Sequence, residues 1–183
     1  MIFLRLEEIR LLSLDDVIGG LHITWKQLFT NIVGSDGTLA GTYFEYSNGM
    51  WSHISGFVEK VTGVPFVEAI TYYVLTPMGV SGLFDENTEY PPMSARGFRG
   101  TTSDLLIIGG TLASGGVSPS SRLRVISSAS VQKMLSDWTS TQKVVFSFQK
   151  DKTATSMDKF TYNKSQNENI INGYGMGLWL VKG

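Results

Sequence analysis

Residues 41–66 read GTYFEYSNGMWSHISGFVEKVTGVPF, and how this stretch divides decides the fold. From Met50 onward, Met50, Trp51, Ile54, Phe57, Val58 and Val61 keep returning to one side at steps of three and four, the spacing of an amphipathic α-helix. Gly63 is placed to stop that helix. Pro65 suits the first turn of a second helix, predicted from Phe66 to about Leu75 and ended by Pro77. Ahead of both helices lies Tyr46-Ser47-Asn48, on a loop that enters the first of them. A tyrosine hydroxyl and an asparagine amide two residues apart can both reach one bound molecule. Asn48 equally reads as the N-cap of the helix, with Tyr46 a half-buried aromatic, and the three residues alone leave both readings open.

Outward from this stretch the punctuation continues. Met1 to Leu12 has apolar residues at Ile2, Leu4, Leu6, Ile9 and Leu12 among charges and is predicted as an amphipathic helix, although no capping residue stands ahead of Met1. Ser13 to Asp16 reads as a turn. Thr24 sits at an N-cap position before Trp25, Leu28 and Phe29, with Gly34 as the stop. Ser81 to Arg99, with Pro91 and Pro92, is expected to run over the surface. Thr101 to Asp104 form a capping cluster for a helix over Leu105–Leu112, closed by Gly115 and Gly116. A strand is expected over Leu123–Ile126, then a short helix capped by Ser127 and ending near Trp138. Val144 to Phe148 reads as a strand, 149–169 as a polar mobile loop, and Tyr174–Val181 as a glycine-punctuated core strand with close backbone approaches. Several helices with a few strands toward the end predict an α/β (α+β) class.

Charge and composition narrow the function classes. Fifteen Lys and Arg against sixteen Asp and Glu leave a net charge of −1, so no chain-wide field draws in nucleic acid or an anionic membrane. A hydrophobic content of 42% with 11% aromatics suffices for a packed core and excludes disorder of the whole chain. The absence of cysteine removes disulfides, thiolate metal sites and a cysteine nucleophile together. No apolar run reaches the roughly 18 residues that would span a bilayer. Arg5, Glu7, Glu8 and Arg10 interrupt the apolar start where a signal peptide would be continuous. An export signal, if one exists, is expected outside this sequence, and localisation stays open.

The order of these segments resembles the family that unites serine beta-lactamases of class C, D-alanyl-D-alanine carboxypeptidases and related esterases. AGTYFEYSN (40–48), ISGFVEKVTGVPFVEAI (54–70) and VLTPMGV (74–80) are similar to its PGT-x-F-x-YSN, its G-x-x-I-E-x-V-T-G-x-P-F helix and its L-x-P-L-G-M. LLSLDDVI (11–18), ITWKQLFTNIVG (23–34), FRGTTSDLLIIGGTLASGGV (98–117) and YGMGLWL (174–180) are similar to further family segments in the same order. The resemblance covers most of the chain except 149–169. It implies a beta-lactamase/transpeptidase-like fold over 1–183, represented mainly by its helical part with an incomplete antiparallel sheet, as a single partial domain. It also implies a chemistry. A serine in S-x-x-K attacks an amide, lactam or ester carbonyl with help from the lysine, and an acyl-enzyme forms. By position Tyr46 is the tyrosine that shuttles protons and Asn48 the asparagine that orients substrate, while Ser47 fills a variable place. No cofactor and no metal is implied, and the partner is a small-molecule or peptide substrate.

Two of the three motifs are missing. In the family S-x-x-K lies just before the helix that Met1–Leu12 resembles, so the nucleophile and its lysine are expected ahead of Met1. The K-x-G or H-x-G strand is expected after Gly183, and the loop between Ile32 and Gly41 is much shorter than the family's. The chain is therefore expected to be a truncated, inactive member. Four S-x-x-K matches do occur, at Ser130/Lys133, Ser140/Lys143, Ser147/Lys150 and Ser156/Lys159, all after Y-x-N rather than before it. Ser156-Met157-Asp158-Lys159 looks most like the family motif, and Lys152-Thr153-Ala154 is one residue off K-T-G, but both sit in a polar stretch without an apolar helix to hold them.

Other chemistries find less support. His22 and His53 have no H-E-x-x-H and no carboxylate at ligand spacing, G-x-S-x-G is absent, and Gly173, Gly175 and Gly177 precede no helix that could cradle a phosphate. Asn163-Lys164-Ser165 matches a glycosylation tripeptide by pattern alone. Two non-catalytic alternatives remain: a scaffold that keeps a groove around Tyr46 and Asn48 for peptide or a protein partner, and a truncated product without independent function. Oligomeric state leaves no mark in the sequence.

Overall fold

The computed structural model describes residues 1–19, 23–30, 45–46, 48–84, 97–138, 147–148 and 171–181. In chain order the elements are α1 (Ile2–Glu8), α2 (Trp25–Phe29), β1 (Glu45–Tyr46), α3 (Asn48–Thr62), α4 (Phe66–Ile70), a π-helical turn (Thr71–Leu75), α5 (Thr76–Met78), β2 (Leu83–Phe84), β3 (Phe98–Arg99), α6 (Thr102–Ala113), α7 (Ser128–Leu135), β4 (Ser147–Phe148), β5 (Ile171–Tyr174) and β6 (Trp179–Val181). They belong to two compact units: residues 1–14 with 49–132, and residues 15–48 with 133–183. The predicted loop at 149–169 and the end of the α2 helix toward Gly34 lie outside the described residues.

In the first unit α1 buries Ile2, Phe3, Leu4 and Leu6, and Phe3 stacks on Phe57 of α3 with ring centroids 6.2 Å apart. Ile54 and Val58 carry the buried side of α3, as the spacing predicts. The first helix stops four residues earlier than Leu12. Arg10 adopts φ 60°, and the Arg10 and Leu11 amides donate to the carbonyls of Glu7 and Leu6. That paired closure satisfies the last carbonyls of a helix and normally selects glycine.

Pro77 does not end the second predicted helix. Phe66–Met78 is continuous, and Gly79 in the left-handed region closes it. A proline ring collides with the carbonyl four residues back, here Tyr73. Tyr73 lies inside the π turn, where the Thr76 amide bonds to the Thr71 carbonyl five residues back, so the wider turn accommodates Pro77. At the other end Pro65 has no side-chain acceptor, and the Phe66 amide donates instead to Glu59 Oε1 of α3 at 3.0 Å.

The predicted excursion over 81–99 is pinned at both ends, because β2 and β3 pair antiparallel with Leu83 opposite Arg99 and Phe84 opposite Phe98. Leu123–Ile126 forms no strand. Its contribution is a single bridge between Val117 and Arg124, while Val125 and Ile126 are buried and their amides donate to the Gly116 carbonyl. The capping cluster behaves as predicted: Thr101 Oγ1 accepts from the Asp104 amide and Asp104 Oδ2 accepts from the Thr101 amide.

The described part of the second unit includes α2 and the β5–β6 hairpin. Thr24 and Gln27 form a reciprocal cap, the Gln27 amide donating to Thr24 Oγ1 at 3.2 Å and the Thr24 amide to Gln27 Oε1 at 2.8 Å. Thr24→Ala is expected to cost about 1 kcal/mol, read as a lower urea midpoint, with Thr24→Ser retaining most of it. Ile18, Ile23, Trp25, Leu28 and Phe29 are buried, and the Ile18 amide donates to the Ile23 carbonyl. Tyr174–Val181 is a hairpin rather than one strand: β5 and β6 pair antiparallel, Tyr174 opposite Trp179, around a turn in which the Gly175 amide donates to the Leu178 carbonyl. That turn caps the end of α7, with the Met176 amide on the Met134 carbonyl. A Cβ on Gly175 would overlap this same carbonyl, the close approach that the glycine spacing implied.

Among the described residues the sheet consists of three two-stranded pieces. Two are antiparallel, but β1 and β4 pair parallel, so the expectation of an antiparallel sheet needs that correction. No helix among the described residues is long and apolar enough to cross a membrane.

Candidate functional site

The Y-x-N residues occupy a strand-to-helix junction. Tyr46 is the last residue of β1 and Asn48 the first of α3. The parallel register sets Tyr46 opposite Phe148 and Glu45 opposite Ser147 of β4.

Of the displaced S-x-x-K candidates, Ser140, Lys143, Lys150, Ser156 and Lys159 lie outside the described residues. Lys152-Thr153-Ala154 and Asn163 lie outside them too. Ser147 is on β4, in register with Glu45 and one place off Tyr46.

Ser130 is described in full and is unsuited to attack a substrate. It is 4% exposed and its hydroxyl donates to Glu8 Oε1 at 2.6 Å. The same carboxylate oxygen accepts the Ser127 amide at 2.7 Å, while Ser127 Oγ accepts the Ser130 amide. The start of α7 is therefore capped twice, once by its own Ser127 and once by a carboxylate from α1. Burial of Glu8 works to raise its pKa, and the hydrogen bonds from Ser130 and Ser127 together with Arg5 outweigh it, so the pKa is lowered. Nothing in the local sequence pairs Glu8 with residues more than a hundred positions away.

A second carboxylate has more partners. Asp104 is buried, and its two oxygens accept from the Thr101 amide, the Ser81 amide and the hydroxyls of Thr101 and Ser81. The Thr101 amide, then the Ser81 amide and the hydroxyls, hold the carboxyl down from its ordinary 3.8 to about 2. A folded pKa below the unfolded one stabilises the fold fully above the ordinary value, and the contribution disappears as pH falls through about 2. Asp104→Asn is expected to be less stable at pH 6, because an amide presents two donors where four donors converge. Urea midpoints of the two proteins should converge as the pH approaches 2, and a constant gap down to that pH would contradict the assignment.

His53 is exposed on α3 and His22 lies outside the described residues. Among the described residues no three of His, Asp and Glu gather in a group that could hold a metal ion.

No family model and no curated protein matches the sequence. Solved structures do match the fold. A beta-lactamase from Mycobacterium bovis aligns over 77% of this chain and 50% of its own at 20% identity, with a TM-score of 0.59. A penicillin binding protein from Bacillus halodurans aligns over 100% of this chain and 65% of its own at 15% identity, with a TM-score of 0.69. SurE, solved with D-Leu, aligns over 97% and 47% at 16% identity, with a TM-score of 0.61. The chain thus has a beta-lactamase/penicillin-binding-protein-like fold and spans about half to two thirds of the length of these structures.

Proposed function

We propose that the chain is part of a serine-hydrolase domain from the branch that holds class C beta-lactamases, D-alanyl-D-alanine carboxypeptidases and esterases. Tyr46 would move the proton between nucleophile and leaving group, and Asn48 would orient the substrate carbonyl or its amide. The observation that carries the reading is the coincidence of two independent features: a fold shared with a beta-lactamase and a penicillin binding protein, and a Y-x-N motif at the entrance to α3. The reaction is transfer of an acyl group from an amide, lactam or ester to a serine and then to water.

This sequence carries no S-x-x-K ahead of Y-x-N, and Ser130 is spent on Glu8, so the isolated chain is proposed to bind substrate without acylation. Incubation with nitrocefin, p-nitrophenyl acetate and a fluorescent penicillin should give no turnover and no label that survives denaturation. A labelled band would overturn the inactivity and make Ser156→Ala the next experiment.

The site residues are tested by binding rather than turnover. An acyl peptide ending in D-amino acids is the probe, chosen because the SurE structure contains D-Leu. Asn48→Ala should weaken saturable binding by about tenfold, the loss of one good hydrogen bond. Binding indifferent to both Asn48→Ala and Tyr46→Phe would remove the pair from the site.

A further inference from the structure

We draw no further inference here: the strongest candidate, the exposed apolar face of α6 that carries Leu105 and Leu106 beside Gly109 and Ala113, is an unpartnered helix face, and nothing in the structure shows what covers it.

Discussion

Gly116→Ala is expected to cost about 2–5 kcal/mol, the sum of forcing an alanine into left-handed backbone and of overpacking a closed site. Gly116 has φ 90°, and a Cβ there would overlap the carbonyl of Ile126. The obstacle is backbone, and it is held from both sides. The Gly116 carbonyl accepts the amides of Val125 and Ile126, and the side chains of those two residues are 1% and 0% exposed. Retreat of the Ile126 carbonyl would therefore break hydrogen bonds and open the core at once. For a domain whose total stability is roughly 5–15 kcal/mol, such a loss approaches unfolding. Gly109→Ala is the control: it lies inside α6, meets nothing within 4 Å, and should gain about 0.5–1 kcal/mol from helix propensity. Equal urea midpoints for the two variants would refute this account of Gly116.

Trp25→Ala should cost about 3–5 kcal/mol by removing the largest fully buried side chain among the described residues and leaving a cavity. Trp25 packs 6.4 Å from Phe29 between ring centroids. Its amide also donates to the Asp16 carbonyl, which ties the turn before α2 to the helix. Trp138 offers the contrast within the same unit. Its indole donates to the Lys133 carbonyl and the Lys26 ammonium lies 4.8 Å above the ring, contacts near the surface worth about 1–2 kcal/mol together. A urea series in which Trp138→Ala is the more damaging change would mean that Trp25 is not the keystone of this core.

What the residues disclosed in advance divides by range. Thr24 with Gln27, Thr101 with Asp104, and Ser127 with Ser130 are caps written within four residues, and all three form. The apolar face of α3 was equally legible, since its period is local. The misses are of two kinds, one local and one between distant segments. Arg10 ends α1 in a conformation that glycine normally supplies, and no neighbouring residue announces it. Leu83 pairs with Arg99, Glu45 with Ser147, and Glu8 with Ser127 and Ser130, contacts that depend on where distant segments are brought together. The hairpin at 174–179 did have a local mark in Gly175 and Gly177, which separate the paired Tyr174 and Trp179. For the candidate site, motif order located Tyr46 and Asn48 at an element boundary, whereas their roles come from resemblance.

The π turn before Pro77 also changes how this chain lines up with others. Ala69, Val74 and Met78 are all buried, at steps of five and then four. Five residues of ordinary α-helix would carry Val74 about 140° away from Ala69, off the buried side. The slower winding of the π turn brings it back, so one residue more than an α-helix would use is stored between Ala69 and Met78. An alignment that counts residues straight through this helix will match core positions on one side of the turn and mispair them on the other. Only a one-residue gap placed at 71–75 keeps both halves of the helix in phase with a relative that lacks the turn.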